Sequence, residues 1–320
     1  MSSPLVSILI PCHNGETFLR ATLESALAQT HPHIEIIVVD DGSTDGSRAI
    51  ASDFEPSVRV LSGPQRGASA ARDLATAVSK GEWLQYLDAD DLLMPHAVSS
   101  RLAAASRLGA DVACGDWRRL EPGPGGVWSN GRLEVADPSA VSEEPDLAVF
   151  KGFWAPPAAI LYRRSIVERI GGWHPNLPVI QDARFLFDAA RNGARFAHVP
   201  GESAAYRQHA SASLSSRSQQ RFWEDVLRNN REIEALWTQD GTLVGSRRAA
   251  MAEAYGLGAR VTFPIDRGLY RANLGELSRF PEAPRSRYLA VAVALERLIG
   301  HRAAVRLMGM LQRARKGASR

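Results

Sequence analysis

GEWLQYLDADDLLMP, residues 81–95, decides how the chain is read. Trp83, Leu84, Tyr86 and Leu87 make a short, aromatic-rich apolar run of the kind buried on both faces of a sheet. It stops abruptly at Asp88, Ala89, Asp90 and Asp91. Three carboxylates at the end of a buried strand repel one another and are costly to desolvate. A divalent cation relieves both problems, and hard oxygen ligands suit Mg²⁺ or Mn²⁺. In a continued strand Asp88 and Asp90 would share one face; in a turn Asp90 and Asp91 would diverge. The same residues also read as an acidic loop capping a helix that begins near Pro95.

The upstream sequence bears on that choice. Val6 to Ile10 is a continuous apolar strand halted by Pro11 and followed by Cys12, His13, Asn14 and Gly15. Leu19, Leu23, Ala26 and Leu27 fall at helical spacing, so a helix is predicted from Phe18 to about Gln29. Ile34 to Val39 is a second buried strand, ending in Asp40 and Asp41. A short helix, a strand near Val58 to Leu61 and a helix from about Gly67 to Ser79 then lead to the Trp83 strand. Strand–helix alternation with short connections predicts an α/β fold with a mostly parallel, doubly wound, Rossmann-like sheet. Such sheets bind ligands at the carboxyl ends of their strands. Here the first, second and fourth strands all end in polar clusters, which a plain capping loop does not explain. Neither GxGxxG nor GxxxxGK[ST] is present, so phosphates would need the Asp cluster's metal and an arginine such as Arg66 or Arg72.

Further along, a helix is expected from Pro95 to about Leu108 and a strand from Asp111 to about Arg119. Pro122 to Ser139 is Gly/Pro-rich without periodicity and reads as a surface loop or flap. Phe153, Trp154, Pro156 and Pro157 either wall a pocket or cover the sheet. Ala158 to Tyr162 reads as a strand, and Arg163 to Ile170 as a helix ended by Gly171 and Gly172. Gln181 and Asp182 open a helix whose apolar face carries Phe185, Leu186, Ala189 and Ala190; in its first turn the dipole favours an ionised Asp182. Tyr206, Arg207 and His209 follow at the end of another strand. From Leu214 the texture becomes helical, with Arg221–Trp237, Arg247–Gly256, and Arg285–Arg315 in two pieces broken near Gly300. The last segment mixes arginines with Leu, Val and Met. It reads either as a helical appendage or dimer partner, or as a helix lying on an anionic membrane surface; charges interrupt it too often to span a bilayer.

A chain of 320 residues with 45% hydrophobic content can bury a full core and carry an appendage. A formal charge of +3 is too mild to argue for nucleic acid. Cys12 and Cys114, the only cysteines, have no metal spacing, so a reducing cytoplasm is expected. The apolar run Leu5 to Ile10 is too short for a signal peptide.

Taken in order, VSILIPCHNGETFLRATLESALAQT, VVDDGSTDGS, GASAARDLA, GEWLQYLDADD, the GGW…QD segment and YRQHASAS resemble the inverting family 2 glycosyltransferases of the GT-A fold. The resemblance covers about Pro4 to Ser213. It implies a GT-A domain over 1–213, with a nucleotide-sugar half at about 1–110 and an acceptor half at about 111–213, and leaves 214–320 as a helical region. It implies that Pro11 and His13 line a nucleobase pocket, that Asp41 accepts from the base with Asp40 beside it, and that Arg72 lies near the nucleotide. Asp88-Ala89-Asp90 is similar to the DxD motif, Asp90 being the principal ligand of Mn²⁺ or Mg²⁺ and Asp88 lying nearer the ribose or the metal waters. Asp182 matches the catalytic base and His209 a histidine near diphosphate and metal, while Trp154 and Gln181 fall on the acceptor side. His13 stands where Tyr is usual, Asp73 where Asn is, and Gln181 where Glu is. The QxxRW motif of processive synthases is absent, which argues for single or limited additions.

The chemistry fits these residue types. An acceptor hydroxyl is a poor nucleophile at neutral pH, and a positioned general base is worth about 10²–10⁴-fold. The departing nucleoside diphosphate gains negative charge that a metal stabilises. One base without a carboxylate nucleophile implies direct displacement with inversion, in contrast to two-carboxylate hydrolases. The expected partners are a nucleotide sugar, UDP-linked first, and a saccharide or lipid-linked saccharide acceptor, as in bacterial surface polysaccharide or glycoconjugate synthesis. A nucleotidyltransferase of related fold would want a basic Gly-rich loop where CHNGE stands. A non-catalytic sugar-nucleotide module would not need both Asp90 and Asp182.

Overall fold

Strand β1 (Val6–Cys12) is buried along its whole length and is the axis of the sheet. Around it the chain runs α1 (Leu19–Leu27), β2 (Ile34–Asp40), α2 (Ser47–Ser52), β3 (Arg59–Ser62), α3 (Ala68–Val78) and β4 (Trp83–Tyr86). The computed structural model describes residues 3–123, 128–136, 143–208, 218–282 and 286–317. They divide into two units, Met1–Ser213 and Leu214–Arg320.

The order β3-β2-β1-β4 is parallel throughout, as the strand–helix alternation predicts. Ile8, Leu9, Ile10, Ile37, Val38, Val39 and Leu84 are fully buried there, so these strands read as unbroken apolar runs. Pro11 does not halt β1. Beyond Leu9 the β4 side of β1 is no longer paired, so a residue without an N–H is tolerated two positions further on.

Past β4 the sheet becomes mixed. The chain adds β5 (Leu92–Leu93), α4 (Ala97–Leu108), β6 (Val112–Pro122), β7 (Trp128–Glu134), α5 (Pro145–Phe150), β8 (Ile160–Arg163), α6 (Arg164–Ile170), α7 (Gln181–Arg191) and β9 (Phe196–Arg207). The order continues β8-β6-β9-β5 with β7 on β6. β8 is antiparallel to both β4 and β6, whereas β6 and β9 are parallel. The stretch read as a structureless flap therefore contains a strand: β7 pairs antiparallel with the outer half of β6. Its side chains are mostly exposed or half-buried, so it lacks the apolar alternation that marks a strand.

The second unit holds α8 (Gln219–Gln239), α9 (Gly245–Thr262), α10 (Arg267–Leu277), α11 (Arg287–Ile299) and α12 (His301–Gly317). Trp237, Tyr255, Phe263 and Tyr270 fill its core. Ser218, Asp266 and Ser286 cap α8, α10 and α11 through their side-chain oxygens. α9 runs past Gly256, its expected end, because Gly258 is a packing residue: a Cβ there would sit 2.2 Å from Asn273 Oδ1 on α10. No helix among the described residues is long and apolar enough to cross a membrane.

Candidate active site

The carboxyl ends of β1 and β2 are laced together by their loops. Asp41 N donates to Cys12 O at 2.8 Å, Gly15 N to Ser47 Oγ at 2.8 Å and Thr44 N to Asn14 Oδ1 at 2.8 Å. Asn14 adopts φ 56°, which its side chain tolerates. The buried Asp41 carboxylate draws in a third loop, accepting from Gln65 N and Gly67 N at 2.7 Å each. Each of its oxygens retains a further lone-pair position. Asp40 accepts from Ser43 N at 3.2 Å and lies 3.7 Å from Arg48. Exposed His13 hangs over this edge, with Nδ1 3.1 Å from Asp41 O, and buried Pro11 lies beneath it in β1.

The Asp88–Asp91 segment is a turn, closed by Asp91 N donating to Asp88 O at 3.0 Å. Its carbonyls are pinned from two sides. Thr22 Oγ1 lies 2.9 Å from both Ala89 O and Asp91 O, and Arg207 Nη1 donates to Asp90 O at 2.6 Å. Arg207 in turn lies across the rings of Phe18 and Trp128. Asp91 faces inward, taking Arg207 N at 3.0 Å; its burial, then the neighbouring Asp90 and Asp88 charges, push its carboxyl well up. The turn therefore offers Asp88 and Asp90, not three carboxylates.

Arg72 reaches Asp88 from α3. Its guanidinium lies 4.3 Å above the Trp173 ring, which is stacked on Phe185. Trp173 is held by Asp73, whose Oδ1 accepts Trp173 N at 2.9 Å. Gly172 makes this possible, at φ +93° and with a Cβ position only 2.6 Å from that oxygen. The Nε and Nη1 of buried Arg72 have no hydrogen-bond partner among the described residues. The guanidinium's charge beside Asp88, rather than these sealed N–H groups, is what suits an anionic ligand.

Asp182 arrives at the start of α7. Its Oδ2 accepts the Trp154 indole N–H at 2.8 Å and its Oδ1 accepts Ala183 N at 2.9 Å. Burial pushes its pKa above the ordinary carboxylate range; the Ala183 and Trp154 bonds and the Arg72 charge pull it down, and Asp88 pushes it up. Trp154, Trp117 and Tyr206 pack edge to face, with centroids 5.5–6.0 Å apart. Burial, then Asp91, Asp88, Asp182 and Asp90, hold the Tyr206 phenol protonated. The tyrosine is thus within electrostatic reach of both the acidic turn and Asp182.

Among the described residues no three His, Cys, Asp or Glu side chains form a closed metal cage. Two carboxylates at the rim fit another pattern, in which Mg²⁺ or Mn²⁺ takes one or two protein oxygens and fills its shell with phosphate and water. Asp88 and Asp90 are the residues that would hold it.

Asp41, Arg72, Asp88, Asp90 and Asp182 therefore gather around the strand ends. His209 lies outside the described residues. Gln181 is buried and occupied elsewhere: its Oε1 accepts from Ser69 Oγ and its Nε2 donates to Pro178 O, tying α7 to α3. The quoted motifs contain Thr22, Trp173 and Arg207 but assign them none of these roles, and Trp117 lies in no motif.

A family model described as Glycosyl transferase family 2 matches residues 7–171, just over half of the chain. The putative glycosyltransferase EpsH of Bacillus subtilis (strain 168) is 29% identical over 238 residues, 71% of this chain and 67% of that protein. The uncharacterized glycosyltransferase YibD of Escherichia coli (strain K12) is 30% identical over 59% of this chain and 58% of its own length. The chain spans 33% of the length of a Rickettsia typhi glycosyltransferase to which it is 38% identical over 33% of its own. Among solved structures, S. aureus TarS in complex with UDP-GlcNAc matches with a TM-score of 0.68 at 18% identity, covering 97% of this chain and 92% of that one. The mannosyltransferase PcManGT from Pyrobaculum calidifontis, in complex with GDP-Man and Mn²⁺, matches with a TM-score of 0.58 at 18% identity, covering 97% and 85%. At these identities the two structures establish the shared fold.

Proposed function

Because the chain belongs to glycosyl transferase family 2, we propose that it moves a sugar, with inversion, from a nucleoside diphosphate donor to a hydroxyl acceptor. The observation that carries this reading is the placement of Asp182, a carboxylate raised above its ordinary range, within electrostatic reach of the Arg72–Asp88 pair. Asp188, another carboxylate on α7, has both oxygens accepting from Arg184 Nε instead.

In this mechanism Asp182 accepts the acceptor's hydroxyl proton as that oxygen attacks the anomeric carbon from the face opposite the diphosphate. The Trp154 indole fixes Asp182 Oδ2, and the elevated pKa makes it a better base than an exposed aspartate. Arg72, paired with Asp88, sets a positive charge on the diphosphate side, where leaving-group charge grows. A divalent ion on Asp88 and Asp90 would supply Lewis-acid stabilisation of that same charge. The acceptor is a saccharide or lipid-linked saccharide of the kind used in bacterial surface glycoconjugates, and the aromatic wall of Trp154, Trp117 and Tyr206 suits a sugar ring. The buried thiols Cys12 and Cys114 are free, which fits work in a reducing cytoplasm.

For the base, Asp41 is the acceptor for a ring N–H, aided by Asp40, His13 and Pro11. Uracil, thymine and guanine offer that hydrogen and neutral cytosine does not. UDP leads, as in the TarS complex; the GDP-Man complex of PcManGT keeps GDP in view. Calorimetry with Mn²⁺ is expected to rank UDP above dTDP and GDP, with CDP weakest. CDP binding as tightly as UDP would refute the Asp41 role. Nucleotide-sugar hydrolysis that persists at full rate in EDTA would refute the metal.

A further inference from the structure

We infer that the α11–α12 helix pair is a docking surface for an anionic membrane, reading acidic headgroups and acyl chains together. The pair has an inner face, where Leu289, Ala292, Ala304 and Met308 are buried. Six other large apolar side chains do not join that face. Val291, Leu298, Ile299, Leu307, Met310 and Leu311 are exposed, Leu298 at 79% and Met310 at 59%. On α12, Leu307, Met310 and Leu311 stand at i, i+3 and i+4 and form one stripe. Arg302, Arg306 and Arg313, at i, i+4 and i+11, form a second stripe alongside it. α11 repeats the arrangement with Val291 and Leu298 beside Arg287 and Arg297.

The ion pairing of the unit says what covers this face. Five arginines elsewhere in the unit are matched: Arg231 with Glu276, Arg248 with Glu282, Arg267 and Arg271 with Glu296, and Arg279 with Glu234. Arg287, Arg297, Arg302, Arg306 and Arg313 are exposed and have no carboxylate partner among the described residues. Glu296 is the only acidic residue from 287 to 317, and it is taken by Arg267 and Arg271. A second copy seated on this face would bring unpaired arginines against the same arginines. A nucleic acid would answer the charge and leave the leucines in water. An anionic bilayer surface satisfies both, burying the apolar stripe at the acyl boundary while the arginines meet phosphates.

The test is sedimentation of the full chain with vesicles of phosphatidylcholine alone and of phosphatidylcholine mixed with phosphatidylglycerol. Binding is expected to be at least about tenfold tighter to the anionic vesicles and to be lost in high salt, where charges are screened within a few ångströms. Leu298→Ser with Leu311→Ser, and separately Arg302→Glu with Arg306→Glu, should each weaken it by about tenfold or more. These side chains are exposed, so thermal melts of both variants should match the parent. Equal binding to the two vesicles, or binding to neither, overturns the inference. So does a dimer in light scattering that the leucine variant dissociates. The readout is lipid binding by the parent protein, so its failure leaves the sugar-transfer reading untouched.

Discussion

Asp41 and Asp182 are the same side chain in two opposite settings. Asp41 sits where parallel strands end, and its two oxygens collect backbone N–H groups from the loop ahead of α3. Asp182 sits on the mixed side of the sheet, against an aromatic wall, held by its neighbour's N–H and one indole N–H. The first setting fixes a loop and presents a fixed acceptor. The second desolvates a carboxylate, lifts its pKa and leaves it ready to take a proton. Under the proposed function, environment rather than residue type would divide recognition from catalysis.

Three substitutions test that division, beginning with the group both halves depend on. Asp90→Ala is expected to reduce transfer by about 10³-fold or more and to abolish metal-dependent nucleotide binding, since a metal supplies several kcal/mol of charge stabilisation. Its melting temperature should hold, because Thr22 and Arg207 pin the turn through backbone carbonyls. EDTA treatment of the parent enzyme should reproduce the kinetic loss.

Asp41→Ala should act on the fold as well as on binding. It removes the acceptor of two N–H groups on the exposed Gln65–Gly67 loop, each such bond contributing about 1–2 kcal/mol net. Denaturant melts should show a loss of about 2–4 kcal/mol, with weaker nucleotide binding and no movement of the pH profile. A stable Asp41→Ala variant with an altered pH profile would blur the comparison.

Trp154→Phe is the mildest. It keeps the aromatic packing but removes the N–H that favours ionised Asp182. A fall of about tenfold in kcat is expected, with the acidic limb moving to higher pH, because losing a bond to the charged form raises the pKa. The other charges near Asp182 are Arg72 and Asp88, with the Tyr162 and Tyr206 phenols protonated, and none of them changes in this variant.

The sequence carries the parallel half of the fold plainly, because each strand there is a buried apolar run closed by polar residues. The mixed half of the sheet and the helical unit are harder to read. β7 has no apolar periodicity to display, and α10 shows only Tyr270, Asn273 and Leu277 on its buried face, with Gly268 and Gly275 interrupting the pattern. Asp182 was legible as a helix-start carboxylate. Its partner Trp154 lies 28 residues away, and that contact exists only once the chain folds. Gln181 shows the reverse: adjacent to the base in sequence, it points back to Ser69.

Asp182 is proposed as the base, standing apart from the nucleotide site. Asp182→Asn keeps the shape and an oxygen for the Trp154 indole while removing basicity. It should transfer sugar about 10²–10⁴-fold more slowly with nucleoside diphosphate binding unchanged. Because the folded pKa lies above the unfolded value, ionising Asp182 costs stability as pH rises through that window. The variant is spared that cost, which offsets the Ala183 N–H bond its amide cannot accept, so its melting temperature should stay close to the parent's at neutral pH. Transfer at near-parental rate, or loss of nucleotide binding in the same variant, would contradict the account.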